Sequence, residues 1–172
     1  MNSKSAKSIK PHQSIKIGIC GFGTVGGGSY NLLHNNGEEI TRRVGCAIDV
    51  IRIASRRLKS SDVASTVKVS NDPFDVVNDP DVDIVIETLG GFDPAFEVVR
   101  QALANGKHVV TANKALVAER GNELFAVAQE NAVTLAFESS VAGGIPIIKA
   151  LREGLSANKI DWLAGIINGT GN

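Results

Sequence analysis

The chain has 172 residues, enough for one domain with a real core, since a chain of about 150 residues buries roughly 70% of its unfolded surface. Lysine plus arginine equals aspartate plus glutamate at 18 each, which gives no overall charge to attract a nucleic acid or a membrane. Two cysteines, Cys20 and Cys46, provide neither a disulfide framework nor metal-ligand spacing, so we expect structural thiols in the reducing cytoplasm.

The first strong element is a predicted strand over 15–20, where three isoleucines alternate with smaller or polar residues. A Ser/Lys-rich segment, residues 1–14, precedes it and is predicted to be a flexible arm. A glycine turn and a helical pattern over 25–36 follow the strand, and the turn has the spacing G-x-G-x-x-G at Gly21, Gly23 and Gly26. Strand, glycine turn and helix in this order predict a dinucleotide site, with an ordinary strand-to-helix turn as the alternative.

The end of the second predicted strand, 48–54, indicates which dinucleotide is bound. An NAD site commonly has an acidic residue there to bind the ribose 2′-hydroxyl. This chain has Ser55, Arg56 and Arg57 instead. Arginine binds phosphate in a bidentate manner, so the sequence favours NADP, with NAD still possible. A basic surface turn without a ligand is the alternative.

The remaining pattern alternates between strands and helices. Strands are predicted at 81–87, 107–111, 134–137 and 160–167, helices at 74–78, 94–105, 115–130 and 147–154, and a further helical turn at 38–44. Residues 59–70 show no clear periodicity. Such alternation predicts an α/β fold with a doubly wound parallel sheet of the Rossmann type.

Ligands of such sheets bind beyond the carboxyl ends of the strands. The loop Thr88–Gly91 follows one strand and is therefore expected near the nicotinamide ribose. Glu87 either touches the ligand or only closes that strand. Lys114 follows the next strand and is the leading candidate for chemistry, because carbonyl reduction needs a proton donor or a cation near the developing alkoxide. The alternative is an exposed lysine in the first turn of a helix.

A second polar cluster combines Glu138 with the glycine-containing loop 141–145. One carboxylate and several backbone carbonyls could hold a small hard cation, since such ions prefer oxygen ligands. A simple glycine turn before a helix explains the same spacing equally well.

Taken together, five motifs resemble homoserine dehydrogenase. They are Gly-Phe-Gly-Thr-Val-Gly at 21–26, the strand 83–87 with Gly90-Gly91, Thr-Ala-Asn-Lys-Ala-Leu-Val-Ala at 111–118, Glu-Ser-Ser-Val-Ala-Gly-Gly-Ile-Pro-Ile-Ile-Lys at 138–149, and Gly-Ile-Ile-Asn-Gly-Thr at 165–170. The resemblance runs from Ile15 to Asn172. It implies an NAD(P)-dependent oxidoreductase that interconverts L-aspartate 4-semialdehyde and L-homoserine in threonine and methionine biosynthesis.

The resemblance also implies roles for individual residues. Lys114 would be catalytic, and a sodium-type cation would bind Glu138 and the backbone of Val141, Gly143 and Ile145. Together with the arginine argument, the expected cofactor-binding set is Gly21, Phe22, Gly23, Thr24, Val25, Gly26, Arg56, Arg57, Thr88, Gly90, Thr111 and Lys114.

The family continues into a substrate-binding and dimerising domain that is almost wholly absent here. Gly171 also stands where the family has a second threonine. We therefore expect residues 15–150 to form the NAD(P)-binding domain and residues 151–172 to begin the second domain. The expected partner is a small-molecule substrate, with a homodimer for the full-length family and little activity for this chain by itself.

Two other functions stay open. A non-catalytic NADP-binding module would keep the dinucleotide site without turnover. Aspartate-semialdehyde dehydrogenase would need a nucleophilic cysteine, and Cys20 and Cys46 are poorly placed for that role.

Overall fold

The computed structural model describes residues 14–165 of the chain. Nearly all of the predicted N-terminal arm, the last part of the strand predicted at 160–167, and Gly171 lie outside the described residues. Six parallel strands of the described part form one sheet in the order β3-β2-β1-β4-β5-β6. They are β1 (Ile15–Cys20), β2 (Ile48–Ala54), β3 (Lys68–Ser70), β4 (Ile84–Glu87), β5 (His108–Thr111) and β6 (Leu135–Ala136). This strand order is that of the dinucleotide-binding α/β fold, and the predicted fold class is confirmed.

Helices connect the strands. They are α1 (Thr24–Asn35), α2 (Gly37–Val44), α3 (Phe74–Val77), α4 (Ala95–Ala104), α5 (Lys114–Glu130) and α6 (Ile147–Lys149). Helix α6 continues into a wider π-helical turn, Ala150–Gly154, and 3₁₀ turns occur at Ser60–Asp62 and Glu138–Ser140. No helix in the described part is both long and apolar enough to cross a membrane.

The two faces of the sheet bury different sets of side chains, as the twofold alternation of strand residues requires. On one face, Ile17 and Ile19 of β1 pack in a cluster with Tyr30 of α1. On the other face, Cys20 belongs to a larger cluster formed with helices α3, α4 and α5. Gly18 allows this second layer to pack closely, because a Cβ there would overlap the Val76 side chain.

Two elements differ from the sequence-based predictions. Residues 68–70, for which no element was predicted, form the short edge strand β3, which pairs with the end of β2. Residues 160–165 form no strand; Ile160 is 46% exposed and Trp162 is 80% exposed. A strand depends on a pairing neighbour and a surface to pack against, and this segment has neither in the described structure.

An ion pair joins β2 to the turn before β4. The Arg52 guanidinium donates to the buried Asp79 carboxylate at 2.7 Å. Burial would raise the pKa of Asp79, but the Asp81 N–H and the Arg52 charge outweigh it and leave the pKa below its usual range. Lys107 Nζ donates to the carbonyls of Asp79 at 2.6 Å and Val82 at 2.8 Å, which holds the turn before β4 against β5.

Candidate dinucleotide and catalytic site

The glycine turn is tightly fixed between β1 and the loop after β4. Gly21 has φ = +97°, in the left-handed region, and a Cβ there would lie 2.6 Å from the Thr88 carbonyl oxygen. A Cβ on Gly26 would overlap the Gly21 carbonyl oxygen and lie 2.7 Å from Thr88 Oγ1. Only glycine therefore fits these two positions without movement of the backbone.

Gly23 is different, because its surroundings are open. It precedes α1, and apart from its two chain neighbours no described residue has an atom within 4 Å of the position that its Cβ would occupy. The first turn of α1 carries no acidic residue, and no side chain caps it. The N–H groups of this turn thus present a positive helix end to the space above Gly23, which suits a phosphate.

The other residues of the turn line the same opening. Thr24 and Val25 are exposed, with Val25 at 53%. Phe22 is half-buried and packs at an angle against Tyr30, with 5.7 Å between ring centroids. Tyr30 in turn accepts the Ala64 N–H at 2.9 Å, which fixes the segment after β2.

Arg56 and Arg57 lie directly beyond the carboxyl end of β2 and are exposed. Within residues 14–165 neither guanidinium group has a carboxylate partner. Five other arginines are each paired with one: Arg42, Arg43, Arg52, Arg100 and Arg120. The two cations beside the glycine turn are thus available to an anionic ligand.

The loop after β4 is joined to the glycine turn. Thr88 donates its N–H to the Cys20 carbonyl at 2.8 Å, and its Oγ1 lies 3.0 Å from the Gly21 carbonyl oxygen. Gly90 and Gly91 both have positive φ and are exposed. Their backbone therefore faces the carboxyl edge of the sheet beside the dinucleotide turn.

Glu87 is the last residue of β4 and lies in the protein interior. Its side chain is fully buried, and its carboxylate accepts hydrogen bonds from the Leu89 N–H at 2.7 Å and from Thr111 Oγ1 at 2.5 Å. Of the two roles considered from the sequence, direct contact with a ligand does not fit a carboxylate without exposed surface.

Lys114 is the first residue of α5 and is exposed at the carboxyl end of β5. The preceding Asn113 caps the helix by accepting the Leu116 N–H at 3.1 Å. The Lys114 ammonium forms no ion pair within the part of the chain that is described. β5 neighbours β4, so this lysine lies on the same edge of the sheet as the Thr88 loop.

The second polar cluster is engaged in holding a helix. The two carboxylate oxygens of Glu138 accept the N–H groups of Ile148 at 2.9 Å and Lys149 at 2.7 Å. The Ile145 carbonyl accepts the Ile147 N–H at 2.8 Å, and Gly143 has φ = +60°. Between residues 14 and 165, no group of three or more acidic, histidine or cysteine side chains could hold a metal ion. Any cation at Glu138 would therefore depend on backbone carbonyls.

The cysteines fit structural roles. Cys20 is fully buried, with its Sγ 3.8 Å from the Pro73 carbonyl oxygen. Burial, together with the negative charges of Glu87 and Asp72, raises the pKa of the Cys20 thiol far above its usual value. The Cys20 thiol therefore stays protonated and is not a nucleophile. Cys46 is half-buried.

Three residues of the site were missed by the sequence reasoning. Asn113 donates its Nδ2 hydrogen to the Gly91 carbonyl at 2.6 Å, and the hydroxyls of Ser139 and Ser140 donate to the Thr111 carbonyl at 3.3 and 2.8 Å. An asparagine immediately before a helix is a recognisable cap signal, so Asn113 could have been found. The two serines carry no comparable signal, because their partner is distant in sequence.

Comparison with known protein families gives one family match. The model for the NAD-binding domain of homoserine dehydrogenase matches residues 21–138. This range contains the glycine turn, Arg56 and Arg57, the Thr88 loop, Lys114 and Glu138.

Several curated relatives and solved structures are similar to the chain. Homoserine dehydrogenase of Pseudomonas aeruginosa is 58% identical over 92% of this chain, and that of Bacillus subtilis is 41% identical over 93% of it. The chain spans only 36% and 37% of the length of these two relatives. A Thiobacillus denitrificans homoserine dehydrogenase structure superposes with a TM-score of 0.85 at 59% identity, covering 94% of this chain and 38% of that one. A hyperthermophilic archaeal homoserine dehydrogenase in complex with NADPH has a TM-score of 0.71 at 29% identity, covering 84% of this chain and 50% of that one.

Proposed function

This chain belongs to the family of homoserine dehydrogenase NAD-binding domains, and from this premise we propose that it is the cofactor-binding part of a homoserine dehydrogenase. In a protein of the length of its relatives, the reaction is the NAD(P)-dependent interconversion of L-aspartate 4-semialdehyde and L-homoserine. The observation that carries the proposal is the placement of the glycine turn, the Thr88 loop and Lys114 on one edge of the sheet, all inside the matched range.

The cofactor site follows from that edge. The open space at Gly23 and the uncapped start of α1 receive the pyrophosphate. Arg56 and Arg57 bind the 2′-phosphate of NADP. Neither has a carboxylate partner in the described residues, which supports this assignment. The Thr88–Gly91 loop borders the nicotinamide ribose. The NADPH found with the archaeal relative supports the same preference for NADP over NAD.

Lys114 provides the chemistry at the substrate oxygen. The bound nicotinamide supplies or accepts the hydride. The ammonium group donates a proton to, or stabilises the negative charge of, the aldehyde oxygen as it becomes the alkoxide of homoserine. Lys114 is exposed beyond the carboxyl end of β5, so its ammonium group is accessible to a substrate.

Three further assignments belong to this proposal. Residues 15–150 form the NAD(P)-binding domain, and residues 151–172 begin a substrate-binding and dimerising domain. A sodium-type cation binds Glu138 together with the carbonyls of Val141, Gly143 and Ile145. The Glu138 oxygens fit this ligand set, because each accepts one backbone N–H and a carboxylate oxygen has a second lone pair.

A direct assay tests the proposed activity. The protein at the length of its relatives should reduce NADP in the presence of L-homoserine and should oxidise NADPH in the presence of the semialdehyde. The chain of 172 residues should bind NADPH with little turnover. Tight NADPH binding by the longer protein without any homoserine-dependent reduction would favour a non-catalytic NADP-binding module instead.

A further inference from the structure

We propose that Glu87 and Thr111 are positioning residues that act through Lys114. They form a buried hydrogen-bonded relay with Asn113 that links the loop after β4 to the first turn of α5. This inference rests on the proposed function, because it concerns how Lys114 is set relative to the nicotinamide.

The relay begins at the end of β4. The two carboxylate oxygens of Glu87 accept from different donors. Oε1 accepts the Leu89 N–H of the loop after β4 at 2.7 Å, and Oε2 accepts the Thr111 hydroxyl of the neighbouring strand at 2.5 Å. A buried carboxylate costs several kcal/mol unless it is well hydrogen-bonded, whereas an apolar residue would close the strand without that cost. Mere closure of β4 therefore does not explain an acid at this position.

Thr111 is the centre of the relay. Its side chain is fully buried; Oγ1 donates to Glu87 and accepts the Asn113 N–H at 3.0 Å. Its carbonyl accepts the Ser140 hydroxyl at 2.8 Å, which joins the loop after β6. The sequence predicted that Thr111 binds the cofactor. We propose instead that its buried side chain holds the residues around the cofactor in place.

Asn113 completes a ring. Its Nδ2 donates to the Gly91 carbonyl at 2.6 Å, while its Oδ1 caps α5 at Leu116. The loop after β4 is therefore held at two points, Leu89 through Glu87 and Gly91 through Asn113. Lys114 is the next residue in the chain, so its backbone position is determined by the same bonds that hold the loop beside the nicotinamide.

A double-mutant cycle tests this relay in the protein at the length of its relatives. Thr111→Val keeps the shape but removes the hydroxyl, and Thr111→Ser is the matched control that keeps it. Each is made with Lys114 and with Lys114→Ala, and kcat, KM for the substrate and the NADPH Kd are measured. Because small misplacement of a catalytic group is costly, Thr111→Val should lower kcat by roughly 10- to 100-fold while the NADPH Kd changes less than about threefold.

Two results are specific to positioning. Thr111→Ser should restore most of kcat, and Thr111→Val should have almost no further effect on kcat once Lys114 is alanine. An equal loss of kcat in both backgrounds, or no loss with Lys114 present, would overturn the relay while leaving the role of Lys114 intact. Normal turnover by Lys114→Ala alone would instead overturn the proposed role of Lys114, and the relay with it.

If Thr111→Val does not fold, Glu87→Gln takes its place in the same cycle. Glutamine has nearly the same size, but its NH₂ group cannot accept a hydrogen bond. One of the two donors, the Leu89 N–H or the Thr111 hydroxyl, would therefore lose its acceptor. The same non-additivity with Lys114→Ala is expected. Additive losses would again overturn the relay.

Discussion

The two halves of the candidate site are built in opposite ways. Around β1, α1 and β2, the site consists of glycine backbone, an uncapped helix start and exposed arginines without carboxylate partners in the described structure. Around β4, β5 and α5, it contains buried polar side chains that are hydrogen-bonded to one another and to the neighbouring backbone. The first half offers free groups to a ligand, whereas the second half fixes the position of one lysine. We therefore expect changes in the first half to alter cofactor binding and changes in the second half to alter turnover.

The sharpest test of this division is Lys114→Ala in the protein at the length of its relatives. Loss of a proton-transfer or oxyanion group should lower kcat by roughly 100-fold or more, with a much smaller change in the NADPH Kd. Stopped-flow reduction and equilibrium titration measure the two quantities separately.

Lys114→Arg serves as the companion variant. Arginine keeps the charge but does not release a proton near neutral pH. An arginine variant far more active than the alanine variant would favour charge stabilisation over proton transfer. Parallel losses of kcat and NADPH affinity in Lys114→Ala would break the division between the two halves.

The arginines after β2 test the other half. Replacing Arg56 and Arg57 with alanine should remove most of a preference for NADPH over NADH worth about 1.5–3 kcal/mol, because a bidentate arginine–phosphate contact is lost. Calorimetric titration with both cofactors measures this difference.

The matched control is the double change Arg42→Ala and Arg43→Ala. These exposed arginines are already paired with Glu39 and lie on α2. Their removal should leave the preference unchanged. Equal affinity for NADPH and NADH in the unaltered chain would show that the 2′-phosphate is not recognised here.

Two glycines of α1 differ in the space around them, so replacing each with alanine should have opposite effects on stability. Gly26→Ala should lower the free energy of unfolding by about 1–3 kcal/mol, because the new methyl group overlaps the Gly21 carbonyl oxygen. Gly28 lies in the same helix with open space around it, so Gly28→Ala should instead stabilise by about 0.5–1 kcal/mol. Urea unfolding of this chain measures both changes. Opposite signs support the packed turn, and two equal gains would refute it.

The smallest expected effect concerns pH and lies away from the site. The pKa of Asp79 is lowered in the folded state by the Asp81 N–H and Arg52, against the effect of burial. The stabilisation is thus present above the unfolded value of about 3.9 and is lost as pH falls through the folded pKa.

The urea midpoint of the unaltered chain should therefore fall more steeply below about pH 4 than that of Asp79→Asn, whose amide does not titrate there. Arg52→Gln, which removes the cation and keeps a polar chain, should also make the acid loss smaller. Identical acid dependence in all three proteins would contradict a role for this ion pair.

Much of the fold could be predicted because its signals are local. The bounds of β1 and β2 match the sequence pattern, and α5 begins one residue before the predicted start. The edge strand β3 was missed, since its three residues become a strand only by pairing with Arg52–Ala54 of β2. The strand predicted at 160–167 is wrong in its described part, residues 160–165. These residues have an apolar pattern but no neighbouring strand to pair with.

The sequence by itself determined the order of the helices and of every strand except β3, the glycine turn, and the presence of Arg56, Arg57 and Lys114 at the ends of strands. These properties follow from short-range patterns such as alternation, glycine spacing and capping. Only the tertiary structure decided that Glu87 is a buried acceptor for Thr111, and that Asn113 holds Gly91. Those bonds join residues 22 to 24 positions apart, and no local pattern specifies them, because they form only when β4 and β5 lie side by side in the sheet.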